Sequence, residues 1–277
     1  MTTACQIDDD DRLAALRTPS GRGGLPSHPV CCRRPVTPVP ILIFVHALGM
    51  SAATWHPVRA RLGGIPSIAI DLPGFGTAVD TGSGDVAGIV DAVRPIVAQA
   101  GSCVLVGHGM GGKIATIVAR RNHRDDGGRR RTGRGIAPVA RTDLGGAAGA
   151  DDRLVCRRDH HRGGCGGIHR RQLPRPLSDQ AAEAVRHSRP AAWTGWLERG
   201  SREDGDRRVR SRPIPALIVA GAEDCDLGEA AQRRVNLPQY PSGRVEVVAD
   251  AAHLIPLEQP DRLATLIADH LRRIAQA

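Results

Sequence analysis

The sequence predicts an α/β protein with a mostly parallel central sheet and flanking helices. Three observations carry this. Short apolar runs rich in Val and Ile recur along the chain, separated by stretches with helical spacing. Such alternation of strands with helical patterns argues for a parallel sheet covered on both faces. They also end in turns bearing Gly, Asp or His, and parallel sheets gather their ligands beyond the carboxyl ends of the strands.

The elements follow in order. Ile41-Leu42-Ile43-Phe44-Val45-His46 is a strand leading into Ala47-Leu48-Gly49-Met50-Ser51. Ser67-Ile68-Ala69-Ile70 is a shorter one that ends in Asp71-Leu72-Pro73-Gly74-Phe75-Gly76. Cys103-Val104-Leu105-Val106 runs into Gly107-His108-Gly109-Met110-Gly111-Gly112, and Lys113 to Ala119 continue with helical character. Gln180 to Arg186 and Ala191 to Glu198 read as helices, with Trp193 and Trp196 as core rather than substrate clamps. Ala216-Leu217-Ile218-Val219-Ala220 is a buried strand ending in Gly221-Ala222-Glu223-Asp224. Arg244-Val245-Glu246-Val247-Val248 leads on to His253. A last helix, from Pro260 to Ala275, sets Leu263, Leu266, Ile267 and Leu271 on one face.

The turn at Gly107 to Gly111 carries the functional question. Strand, glycine-bounded turn and helix is the context of a G-x-S-x-G nucleophile elbow, in which a serine stands on a strained backbone position. Gly107 and Gly111 are small enough for strand and helix to approach closely. Gly109 occupies the serine position. Glycine tolerates a positive φ, so it keeps the turn and relieves about 1 kcal/mol of strain. It also removes the atom that would attack a carbonyl.

With these motifs in place, the chain resembles the α/β-hydrolase superfamily, in its group of small esterases, C–C-bond hydrolases and cofactor-free haloperoxidases. The family's His-Gly turn is matched at His46-Ala47, with alanine for glycine. Its Asp-x-Pro-Gly turn is matched from Asp71, and its elbow is matched except at Gly109. The likeness covers roughly residues 38 to 119 and 213 to 275. It implies His253 as general base and Asp224 as the acid that orients it, in preference to the neighbouring Glu223 and Asp226. It implies the amides of Leu48 and Met110 as oxyanion donors. His46 and His108 support backbone geometry. The implied activity is hydrolysis of a carboxylic ester or C–C bond, impaired or absent because Gly109 replaces the nucleophile. Two alternatives stay open: a non-covalent general-base enzyme of lyase or cofactor-free oxygenase type using His253 and Asp224, or a non-catalytic small-ligand-binding protein. The expected ligand is a small molecule under the cap, with no cofactor and no metal.

Five segments are expected: 1–37 irregular, 38–119 first half of the core, 120–171 low in order, 172–212 helical cap, and 213–277 second half of the core. The net charge of +9 suggests nucleic acid until its location is considered. Residues 120–171 hold 14 Arg against 6 Asp, so almost the whole excess sits there. A basic footprint spread over a folded surface is absent, which excludes nucleic acid as the expected partner. The same window has 11 glycines and no aromatic residue, too little apolar surface to offset ordering entropy. Lys113 is the only lysine, as in a GC-rich gene, and the window reads as frame-shifted text. Comparison of the three reading frames of the DNA tests that reading. Cys156, His160, His161, Cys165 and His169 match no common zinc spacing. Asp8 to Asp11 stand where a signal peptide would need an apolar core, and no apolar run is long enough to span a membrane. Seven cysteines without regular spacing suit a reducing cytoplasm, and Cys225 beside the proposed acid is not read as a substitute nucleophile.

Overall fold

Three short aliphatic-rich strands build the first half of the core, two of them buried and the third half-exposed. In the computed structural model, which describes residues 40–78, 85–122, 173–203, 214–224 and 227–276, strand β1 (Ile41–Val45) lies between two parallel neighbours. These are β2 (Ser67–Ile70) and β3 (Cys103–Gly107). A short helix, α1 (His56–Ala60), intervenes between β1 and β2 in the chain. Val45 is opposite both Ile70 and Gly107, so the three strands finish level. That register brings His46, Asp71 and His108 to one edge. Strands β4 (Ala216–Gly221) and β5 (Gly243–Val248) form a second parallel pair, with Gly221 opposite Val248.

Successive side chains of β1 point to opposite faces and enter two separate cores. Leu42 and Phe44 pack with Val104, Val106, Leu217, Val219 and the last helix. Ile43 and Val45 pack with Leu105 and the helices that follow β2 and β3. The first of those, α2 (Val86–Ala100), starts at Asp85, whose side chain accepts from the Gly88 amide at 2.7 Å. That capping bond satisfies one of the amides left open at a helix start. The second, α3 (Met110–Asn122), begins directly at the elbow. Its start precedes Lys113, where helical spacing first becomes visible, because the three residues before it include two glycines.

The cap comprises α4 (Arg175–His187) and α5 (Pro190–Gly195). The second cap helix departs from expectation. It ends at Gly195 and passes into a wider π turn over Trp196–Gly200, where the Ser201 amide donates to the Trp196 carbonyl at 2.7 Å. The last helix, α6 (Pro260–Gln276), buries Leu263, Leu266 and Ile267, with Leu271 packed at the margin. Helix α3 runs to Asn122, so Arg120 and Arg121 are helical. Arg120 stands over the Tyr240 ring and donates to the Gln239 carbonyl at 3.1 Å. The expectations for 1–37 and for the rest of the Arg/Gly-rich window, with its Cys/His group, lie outside the described residues. No described helix is long and apolar enough to cross a membrane.

Candidate active site at the sheet edge

The turn after β1 is tied to the turn after β2 through one imidazole. His46 donates from Nδ1 to the Ala47 carbonyl at 2.8 Å, and its Nε2 accepts the Leu72 amide at 2.9 Å. Both ring nitrogens are thereby used by the neutral form. Burial pushes its pKa down to about 4, against weaker opposing pulls from the Ala47 carbonyl and Asp71. Asp71 fixes the same corner. Its carboxylate accepts from the Ala52 amide at 2.6 Å and from the Thr77 amide and hydroxyl at 2.9 Å. Burial alone would raise that carboxyl, but these donors outweigh it and hold it below its usual range.

The elbow is built by close approach. The His108 amide donates to the Val45 carbonyl at 3.0 Å, and the Gly111 amide to the His108 carbonyl at 2.9 Å. A β-carbon at Gly111 would strike the carbonyls of Val45 and His46, and one at Gly107 would strike the Gly111 backbone. Gly109 has φ of +53°, the left-handed conformation expected of an elbow nucleophile.

Gly109 faces the other candidate residues. A β-carbon placed there would lie 3.6 Å from His253 Nε2. His253 Nδ1 is 3.0 Å from Asp224 Oδ2, with the ring N–H donating to the carboxylate. Asp224 is buried, and its other oxygen accepts the Leu227 amide at 2.9 Å. The structure thus brings Gly109, His253 and Asp224 together and sets Asp224, not Glu223, on the imidazole. Asp226 and Cys225 lie outside the described residues.

His108 holds the dyad from behind. Its Nε2–H donates to the His253 carbonyl at 2.8 Å. Burial, reinforced by the neighbouring His253, lowers its pKa to about 3, so the ring is neutral. Among the described residues the amides of Leu48 and Met110 have no hydrogen-bond partner. Met110 is the first residue of α3, where amides point outward unpaired. Its side chain is buried in the apolar cluster that also contains Trp196.

Two residues were not singled out as site builders from the sequence. Ala47 faces Gly109, its β-carbon 3.1 Å from where a side chain would start. Lys113 is buried and donates to the carbonyls of Gly200 at 2.8 Å and Ser201 at 3.1 Å, with the Trp196 ring 5.6 Å away. It joins the elbow helix to the end of the cap's π turn. The only lysine of the chain, set in an apolar helix, was the available signal. Trp193 completes the seating, packing where a side chain at Gly49 would have to go. Both tryptophans belong to the apolar packing, as expected: Trp196 is buried and Trp193 partly so.

Lys113→Met is expected to leave those carbonyls unsatisfied and to lower stability by about 1–3 kcal/mol. Urea unfolding measures the loss, and limited proteolysis should show faster cleavage near residues 196–203. Unchanged cleavage there would remove the anchoring role.

Residues 42–266 match the Alpha/beta hydrolase family. The chain belongs to that family. The bifunctional biotin biosynthesis protein BioHC of Teredinibacter turnerae is 27% identical over 270 residues, covering 87% of this chain and 46% of the relative. BioHC of Cellvibrio japonicus is 24% identical over 254 residues, covering 86% of this chain and 49% of the relative. The chain therefore spans about half the length of the curated relatives it matches. Among solved structures, MenH from S. aureus superposes with a TM-score of 0.65 at 20% identity, covering 86% of this chain and 96% of that one. That likeness establishes the shared fold.

Proposed function

We propose that this α/β-hydrolase family member descends from enzymes that cleave carboxylic esters or C–C bonds, and that its covalent step is lost at Gly109. The observation that carries the reading is the direction in which position 109 points. Its side-chain vector meets His253 Nε2 at 3.6 Å, while the opposite ring nitrogen is held by Asp224 at 3.0 Å. In the ancestral arrangement His253 takes a serine proton, Asp224 orients the ring, and the unpaired amides of Leu48 and Met110 receive the oxyanion. Without the hydroxyl, what persists is binding and oxyanion stabilisation, worth about 10³ to 10⁴ over uncatalysed hydrolysis. The ligand is a small carbonyl compound under the cap, bound without cofactor or metal. Neither nucleic acid nor membrane is a partner in this reading, and the odd, irregular cysteine set favours a cytoplasmic setting.

A second reading has one observation in its favour. His253 and Asp224 remain paired although no serine requires them. The pair can serve as a general base on a substrate proton or a held water.

Short p-nitrophenyl esters separate the readings. The protein as it stands is expected to hydrolyse them only at the residual level of binding and oxyanion stabilisation, and Gly109→Ser to gain about 100-fold, a gain removed by adding His253→Ala. Activity of the unaltered protein that disappears with His253→Ala would replace the first reading by the second. Folded Gly109→Ser variants with no gain, both alone and combined with Ala47→Gly, would remove the lost-nucleophile reading.

A further inference from the structure

We infer that Ala47 and Gly109 are one steric unit: the Ala47 methyl crowds any side chain at position 109, so a nucleophile there is hindered by its neighbour. The inference deepens the lost-nucleophile reading and rests on it only for its catalytic consequence. The contact itself is independent of any activity.

Three observations carry it. A β-carbon at 109 would lie 3.1 Å from the Ala47 β-carbon and 3.7 Å from its α-carbon, where unstrained carbons stand about 3.5–4 Å apart. Ala47 has little freedom to retreat. Its carbonyl is held by His46 Nδ1 at 2.8 Å and by the Met50 amide at 3.1 Å. Its methyl is buried in an apolar cluster with Met50, Ala181, Leu254 and Leu257. The alanine at 47 and the glycine at 109 both depart from the pattern the sequence resembles. They touch, and each accommodates the other. A serine returned to 109 alone meets the methyl before it meets the imidazole, so its hydroxyl is displaced from His253 Nε2. Attack geometry is sensitive to shifts of this size.

A double-mutant cycle tests the unit. Gly109→Ala and Ala47→Gly are made singly and together in the full chain. The left-handed backbone at 109 strains any side chain equally in both backgrounds, so it cancels and leaves the contact. Gly109→Ala is expected to lower the melting temperature by about 6 °C when Ala47 is present and by about 3 °C in the Ala47→Gly background. Folding of the Gly109→Ala variant only in the Ala47→Gly background would be the same result in stronger form. Equal losses in the two backgrounds, or failure to fold in both, would overturn the inference, because backbone strain would then govern the site.

The catalytic consequence is read by a fluorophosphonate probe, with mass spectrometry counting the label at residue 109. The double variant Ala47→Gly/Gly109→Ser is expected to label about tenfold faster than Gly109→Ser. Equal rates would overturn the catalytic consequence. Thermal coupling with no labelling of either serine variant would uphold the steric unit and remove the functional reading of His253 and Asp224 instead.

Discussion

Gly111→Ala is expected to unfold the protein or leave it only marginally stable. The new methyl would collide with the carbonyls of Val45 and His46, which belong to the central strand and its turn. Neither can swing aside like a flexible side chain. The His108 amide already bonds the Val45 carbonyl at 3.0 Å, and His46 is held at both ring nitrogens. Relief requires α3 to move away from β1, opening a core that contains Met110, Ile114 and Val45. Overpacking of this kind costs about 3 kcal/mol or more, a large part of the roughly 5–15 kcal/mol that holds a domain together. Gly64→Ala is the control. Its φ is +85° and no atom lies within 4 Å of an added methyl, so only backbone strain of about 1 kcal/mol is expected. Urea unfolding of the two variants tests the contrast. Equal losses would show that approach distance is not what requires glycine at 111.

Acidification has the second large effect. Burial holds the imidazoles of His46 and His270 down to about 4, and that of His108 to about 3, against the usual 6.5. The Arg244 guanidinium, 2.9 Å from His270 Nδ1, adds to the effect there. Between about 4 and 6.5 the unfolded chain binds three protons that the native protein refuses. Their contribution is complete above 6.5 and is lost as the pH falls through that window. Three protons correspond to about 4 kcal/mol per pH unit once the unfolded imidazoles are charged, and to about 5 kcal/mol between pH 7 and pH 5. Asp71 acts in a lower window, since its depressed carboxyl contributes above the unfolded value and is lost only as pH falls through the folded one. Unfolding free energies at pH 7, 6 and 5 should therefore drop steeply before carboxylates matter. His270→Gln keeps an acceptor for Arg244 and should reduce the slope by about one third. A flat profile between pH 7 and 5 would contradict the neutral, buried state of these rings.

The strands were legible because each is a local signal. Ala216 to Ala220 reads as a buried strand without knowledge of its partner, and the structure extends it by one residue to Gly221. Helix α6 was equally legible from the spacing of Leu263, Leu266 and Ile267. The residues gathered at the strand ends followed from family resemblance plus strand polarity, since parallel strands present their carboxyl ends to one side. What escaped the sequence depends on distance across the fold. Nothing local in Ala47-Leu48 says that its methyl faces residue 109, and nothing in Lys113 says which carbonyls it meets 87 and 88 positions later. The π turn was hidden because Ala191 to Glu198 has sound helical spacing. Its widening coincides with Lys113 binding the carbonyls at its end.

The hydrogen bond from His108 to the backbone of His253 makes the placement of that imidazole independent of what residue 109 carries. The imidazole is kept in place by its carbonyl and by Asp224, through bonds that do not involve residue 109. In the lost-nucleophile reading, removal of the serine side chain leaves its companions standing in formation. An orderly acid–base pair in this architecture is held by the scaffold and does not by itself report turnover.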